Sequence, residues 1–222
     1  MSESKSKIEL RRVAMAPELV KRDGSLPLIR GYAAVYYDQN DPGSEYRLWS
    51  DTVERIKHGA FDRAAREDDV RGLFNHDENQ VLGRTKSKTM RLTVDGRGLQ
   101  YEITPPDTQA ARDAVTVLER GDVDGSSFAF LPNKVTWEEQ RKADGSMLYI
   151  RWIDEVRLYD VGPVTFPAYQ STEAGVRAEG PDSAVKAEFE AWSKRSKSGD
   201  AVADRDLLTL TATKMAILET DG

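Results

Sequence analysis

Two short runs, residues 90–94 (Met-Arg-Leu-Thr-Val) and 99–103 (Leu-Gln-Tyr-Glu-Ile), alternate with period two on either side of Asp95-Gly96-Arg97-Gly98. Successive side chains of a strand point to opposite faces, so this pattern with a glycine-rich turn predicts a β-hairpin. Further strands follow from residues 8–13, 28–36, 135–137 and the long stretch 147–164, which carries Tyr149, Ile150, Trp152, Ile153, Val156, Leu158 and Val161. Gly31 is placed to mark a bulge in the second of these. Helical spacing is scarce. Residues 108–120 place Ala111, Ala114, Val115 and Leu118 on one face with Gly121 behind them as a cap. Residues 54–67 read as partly helical, with Phe61, Ala64 and Ala65 on the apolar side. Strands without regular βαβ alternation imply an α+β or mainly-β fold of barrel type.

After Pro167 the character changes. Residues 171–183 are small, polar and acidic, residues 184–194 have helical spacing of Val185, Phe189 and Trp192, and the tail from Leu207 has no apolar partner near it in sequence. The expected organisation is a folded domain over 1–170 and an appendage over 171–222.

Composition narrows the chemistry. The 222 residues contain no cysteine, which removes disulfides, thiol nucleophiles and cysteine-based zinc sites. There are two histidines, His58 and His76, so a three-histidine metal site is excluded and an imidazole base must be one of these two. The net charge of −6, from 38 acidic and 32 basic residues, argues against a chain built to grip nucleic acid through phosphates. No apolar run reaches the roughly 20 residues that span a bilayer, and the polar N-terminus does not read as a secretory signal. A cytoplasmic protein without cofactor or metal is expected.

Among candidate nucleophiles, Ser126 and Ser127 follow a small-residue run containing Gly121 and Gly125 and precede Phe128-Ala129-Phe130. Such a run lets backbone N–H groups approach a substrate closely. A serine needs a base to take its proton, and the imidazole in turn needs an acceptor that fixes its tautomer. His76 stands at the end of a short apolar strand, where a side chain is held rigidly and still meets solvent; His58 reads as a loop or helix-terminal residue. Glu155 and Asp160 both lie on the long 147–164 segment, and spacing does not choose between them. The plainer alternative is a β-rich binding domain in which the serine and histidine are structural.

Several segments coincide, in order, with a known pattern. They are 30–35 (Arg-Gly-Tyr-Ala-Ala-Val), 53–56 with 59–62, 73–77 (Leu-Phe-Asn-His-Asp) with 82–85, 99–102, 121–123 with 127–130, and 155–169 through Pro163-Val164-Thr165-Phe166-Pro167. Over residues 28–172 the chain resembles the prohead proteases of HK97-type tailed bacteriophages, which are related in fold to herpesvirus assembly proteases. The resemblance implies a closed, herpesvirus-protease-like β-barrel with surrounding helices. It implies Ser127 as nucleophile rather than Ser126, and His76 as base. It favours Glu155 as third member, with Asp160 the alternative. The herpesvirus-type oxyanion arginine falls near Pro163, so the oxyanion requires other donors.

The implied activity is that of a serine endopeptidase of capsid maturation. Its partners would be the major capsid protein with its scaffolding segment, and the chain itself through self-cleavage that can remove 171–222. A homo-oligomer is compatible with this; nucleic acid and membrane are not implied. The implied location is the assembling prohead in the cytoplasm of a bacterial host. A catalytically silent capsid-assembly module of the same fold is the alternative.

Overall fold

The computed structural model describes residues 8–166 and 183–198. The chain divides into two units, Met1–Gly180 and Pro181–Gly222. In the larger unit the strands are β1 (Glu9–Val13), β2 (Glu18–Val20), β3 (Leu28–Val35), β4 (Glu45–Trp49), β5 (Thr52–Ile56), β6 (Arg71–Leu73), β7 (Val81–Arg84), β8 (Met90–Val94), β9 (Gly98–Ile103), β10 (Gly125–Arg141) and β11 (Met147–Val164). Helices α1 (Asp62–Glu67) and α2 (Gln109–Glu119) complete it. The smaller unit contributes α3 (Ser183–Ser198), which covers the expected 184–194 helix and sets the Phe189 and Trp192 rings 5.8 Å apart. Residues 171–182 of the expected linker, and the tail from Leu207, lie outside the described residues.

The period-two reading of residues 90–103 corresponds to the β8–β9 hairpin, with Met90 opposite Ile103 and Val94 opposite Leu99. Its turn is fixed by Asp95, whose Oδ1 accepts from the backbone N–H of Arg97 and of Gly98 at 2.8 and 3.0 Å. In α2 the four residues picked by helical spacing are the buried ones. Thr108 caps its start, and Gly121, at φ 78°, closes its end by donating to the Leu118 carbonyl. Residues 54–56 are a strand instead of the start of a helix. Here β5 lies between β4 and β11, parallel to β11, with Val53, Glu54 and Ile56 buried.

The expected closed barrel is corrected by the strand pairing. The strands form two open sheets, one of seven strands (β1-β10-β11-β5-β4, with β6 beside β11 and β7 beside β6) and one of four (β2-β3-β9-β8). The physical reason lies at Gly31. A Cβ there would stand 2.7 Å from the Tyr101 hydroxyl and 3.2 Å from Ser126 Oγ. So β3 crosses the side-chain face of β10, whose two edges are already paired with β1 and β11, and the sheets pack face to face without their outer strands pairing. The fold is mostly β, with three α-helices among the described residues.

Between the sheets lies one main core. Phe61, Phe128, Phe130, Tyr101, Ile29 and Leu82 are fully buried in it. Phe61 meets Phe128 edge-on at 5.6 Å, and Phe128 stacks on Phe130 at 4.8 Å. Each such side chain contributes roughly 1.5–3 kcal/mol of burial, enough together to hold β10 rigid where the candidate nucleophile sits.

Candidate active site

Three strands converge on Ser127. In the β10–β11 ladder Ser127 is opposite Gly162, and Ala129 is opposite Asp160. Ser127 and Asp160 are therefore diagonal neighbours on one face of the sheet, a separation of roughly 7–8 Å that one side chain can bridge. The bridge is His76. Its Nδ1 lies 2.5 Å from Asp160 Oδ1, and its Nε2 lies 2.6 Å from Ser127 Oγ. Alternation along β10 sends Ser126 to the other face, where its hydroxyl pairs with the buried Tyr101 hydroxyl at 2.9 Å.

His76 reaches this position because β6 runs parallel to β11, with Arg71 opposite Asp160 and Gly72 opposite Val161. Leaving β6, the chain passes directly over Gly162. A Cβ on Gly162 would stand 1.9 Å from the Leu73 carbonyl oxygen, so only a glycine allows this approach. The next residues turn sharply, with Asn75 and His76 both left-handed at φ 54° and 57°. Asn75 N–H donates to the Pro163 carbonyl at 3.0 Å. The imidazole and the Asp160 carboxylate each retain 15% side-chain exposure, while Ser127 is fully buried.

Ser127 Oγ has a second neighbour, donating to the Arg11 carbonyl of β1 at 2.8 Å. A hydroxyl carries one proton, so the two contacts correspond to two proton arrangements. With Nε2 unprotonated, the Ser127 proton points to it. With both ring nitrogens protonated, Nε2–H donates to Oγ and the Ser127 proton turns to Arg11. The site can thus hold either the reactive arrangement or its protonated counterpart without moving a heavy atom.

The other sequence candidates lie elsewhere. Glu155 accepts from Arg63 Nε at 3.0 Å and from Asn133 Nδ2 at 3.1 Å, and is 41% exposed. The Asn133 and Arg63 hydrogen bonds hold its carboxyl below the ordinary glutamate range. His58 lies against Tyr36, ring centroids 4.5 Å apart. Burial pushes the Tyr36 hydroxyl up to about 12.

On the opposite face of the same sheet, drawn from β1, β5 and β11, is a cluster that residue spacing did not reveal. Arg11 Nε and Nη2 donate to Glu54 at 2.6 and 3.0 Å, and Arg11 Nη2 also donates to Glu9. The fully buried Arg151 donates to both carboxylates, at 2.5 Å to Glu54 and at 2.8 and 2.9 Å to Glu9. Burial opposes ionisation of Glu54, but Arg11 and Arg151 outweigh it and hold its carboxyl below the ordinary range. The signal available in the sequence was charged residues inside strands; apart from the neighbouring Glu9 and Arg11, the partners are 43 to 142 residues apart.

Among the described residues no group of three or more histidine, aspartate or glutamate side chains is arranged to hold a metal ion, and no helix is long and apolar enough to cross a membrane.

A serine, an imidazole and a carboxylate in hydrogen-bonded series define the class of site that transfers acyl groups through a serine. Residues 14–186 match the model of the caudovirus prohead serine proteases, and the chain belongs to that family. It is a capsid-maturation protease of tailed bacteriophages by class. Among solved structures it is similar to the capsid assembly protease of bacteriophage T4, at 13% identity over 74% of this chain and all of that one, with a TM-score of 0.44. No curated protein sequence matches the chain.

Proposed function

We propose that this chain cleaves the scaffolding segment of its phage's major capsid protein, and itself, with Ser127 as nucleophile, His76 as general base and acid, and Asp160 as the carboxylate that orients His76. The observation that carries the reading is the unbroken series Ser127 Oγ–His76 Nε2 at 2.6 Å and His76 Nδ1–Asp160 Oδ1 at 2.5 Å. Asp160 takes the role that the resemblance gave to Glu155, because Asp160 faces the imidazole and Glu155 is engaged with Arg63 and Asn133.

In the reaction Ser127 Oγ bonds to the scissile carbonyl carbon as its proton passes to His76 Nε2. Asp160 accepts from Nδ1–H throughout and stabilises the imidazolium, remaining ionised itself. The tetrahedral adduct collapses by breaking the C–N bond, and Nε2 gives its proton to the departing amine. Water then attacks the acyl-serine, losing a proton to Nε2, which returns it to Ser127. Backbone N–H groups around Ser127 are the candidate donors for the oxyanion, as the herpesvirus-type arginine has no counterpart near Pro163.

The same reading treats residues 1–170 as the protease and 171–222 as an appendage that self-cleavage can remove. Co-expression with the major capsid protein of the same phage, followed by intact-mass spectrometry, tests all of these points. Ser127→Ala is expected to abolish capsid-protein processing, a loss on the order of 10⁶-fold in kcat, and to leave residues 171–222 attached. Processing at the wild-type rate by Ser127→Ala would exclude this nucleophile. A wild-type chain that co-assembles and cuts nothing would instead be the silent assembly module.

A further inference from the structure

The loop that carries His76 is held in a conformation its own residues disfavour. Two successive non-glycine residues, Asn75 and His76, are left-handed, at a cost of roughly 1–2 kcal/mol each for an ordinary residue, less for asparagine. What offsets it is the turn's own backbone bond, Asp77 N–H to the Phe74 carbonyl at 3.1 Å, and three hydrogen bonds to Pro163 in β11 and to Thr165 just past its end. Asn75 N–H donates to the Pro163 carbonyl at 3.0 Å. Asn75 Nδ2 donates to Thr165 Oγ1 at 2.9 Å. Thr165 N–H donates to Asn75 Oδ1 at 2.8 Å.

Asn75 is an exposed residue. Exposed hydrogen bonds exchange with water and contribute little to global stability, so this carboxamide is not explained by the needs of the core. Its geometry is directional. β11 supplies Asp160 to one side of the imidazole, and Thr165, the residue directly after its end, grips the residue next to the imidazole. One rigid strand thereby fixes both the partner of Nδ1 and the backbone from which the ring projects.

We propose that Asn75 is a positioning residue whose carboxamide, clamped on Thr165, holds the His76 imidazole in line between Ser127 and Asp160. The inference rests on the assignment of Ser127, His76 and Asp160 above. Without the clamp the turn keeps its Asp77–Phe74 and Asn75–Pro163 backbone bonds but loses its side-chain tie to Thr165, and a displacement of about 1 Å at the ring is enough to cost on the order of 100-fold in rate.

The experiment uses the full chain and a fluorophosphonate probe, which reports activation of the serine without knowledge of the substrate sequence. Asn75→Gly is the informative variant, because glycine adopts the left-handed turn at no steric cost and loses only the carboxamide. Its saturating labelling rate is expected to fall about 100-fold with the half-saturating probe concentration changed less than about threefold. Thr165→Val is expected to lower the rate about tenfold, and Thr165→Ser, which keeps a hydroxyl, to restore it. The chain's two histidines make a spectroscopic readout simple. The far-downfield proton of His76 Nδ1–H should be sharp in the wild type and broadened in Asn75→Gly, while urea midpoints remain alike.

A labelling rate for Asn75→Gly within about threefold of wild type overturns the positioning role. Should that variant unfold, the same result for Thr165→Val overturns it. Labelling of Ser127→Ala at the wild-type rate, or a wild-type chain that does not label, overturns the underlying nucleophile assignment instead, and the inference with it.

Discussion

The seven-stranded sheet carries a polar cluster on each face, and the two clusters solve opposite problems. On one face Glu9, Arg11, Glu54 and Arg151 bring two positive and two negative side chains together in the core. Each charge is met there by its opposite. On the other face Ser127, His76 and Asp160 form a series with one carboxylate, partly exposed, whose ring can gain a proton. The balanced cluster has nothing left to give to a reaction. The unbalanced one has a place for a proton to go. Arg11 joins them, its guanidinium in the first cluster and its carbonyl on Ser127 Oγ of the second. Charged residues in the strands of a β-protein are therefore no guide to catalysis until their partners are known.

After the loss expected of Ser127→Ala, the next largest effect separates the clusters by function. Asp160→Asn keeps the shape of the reactive series but presents the imidazole with the wrong tautomer, and kcat is expected to fall about 10⁴-fold. The urea midpoint should scarcely change. Measured activity within tenfold of wild type would make Asp160 a bystander.

Next comes the buried cluster. Arg151→Met leaves Glu9 and Glu54 sharing Arg11 alone, and breaking a buried pair this way is expected to cost about 3–5 kcal/mol of stability. That is a large share of the 5–15 kcal/mol typical of a domain, readable as a lowered urea midpoint. The acid limb follows the same logic. Because Glu54 is held below its ordinary value of 4.5 when folded, its contribution is present above that pH and is lost as the pH falls through the lowered value. Glu54→Gln should flatten that limb of the stability–pH curve. A mutant with the wild-type slope would show that the cluster does not govern acid stability.

Neighbouring serines give a smaller contrast in stability. Ser126→Ala removes the hydrogen-bond partner of the Tyr101 hydroxyl in the core, and is expected to cost about 1–3 kcal/mol of stability while leaving cleavage near wild type. Ser127→Ala should do the reverse. If Ser126→Ala abolished labelling by a serine-directed probe in a folded chain, the two faces of β10 would have been assigned the wrong way round.

What the sequence made legible was local. The β8–β9 hairpin, the buried face of α2 and the long strand over 147–164 depend on periodicity and turn residues within about twenty positions. Ser127 and His76 were legible as candidates because two histidines left little choice and the ordered motifs selected among them. Open sheets could not be told from a closed barrel, since alternation reports that a strand has an inner face and not which strand lies beside it. The choice between Glu155 and Asp160 stayed open in the sequence for a related reason. Register along β10–β11 shifts between Ala129 and Phe130 and again around Lys134, so Asp160 meets Ala129 while Glu155 meets Lys134. Irregularities in both strands of the β10–β11 ladder set which side each carboxylate takes, and nothing in the spacing of residues 155 and 160 encodes them. Gly162 and Asn75 were visible as residues, but their roles depend on how closely β6 passes over β11.

The smallest expected effect bears most directly on that choice. Glu155 is 41% exposed, and its partner Arg63 also donates to Asp68 Oδ1 and to the Val156 carbonyl. Removing the charge therefore leaves Arg63 with other acceptors, and an exposed pair of this kind contributes about 0–1 kcal/mol. Glu155→Gln retains an oxygen to accept from Asn133 or Arg63, so its urea midpoint should lie close to wild type. Its labelling rate should change less than about twofold, against about 10⁴-fold for Asp160→Asn. Measuring both variants with the same probe makes the comparison decisive. If Glu155→Gln were inactive and Asp160→Asn active, the histidine would have to leave Asp160 and cross to the Arg63 side of β11. That rearrangement would break the Asn75 bonds to Pro163 and Thr165, and Asn75→Gly would then raise the rate instead of lowering it.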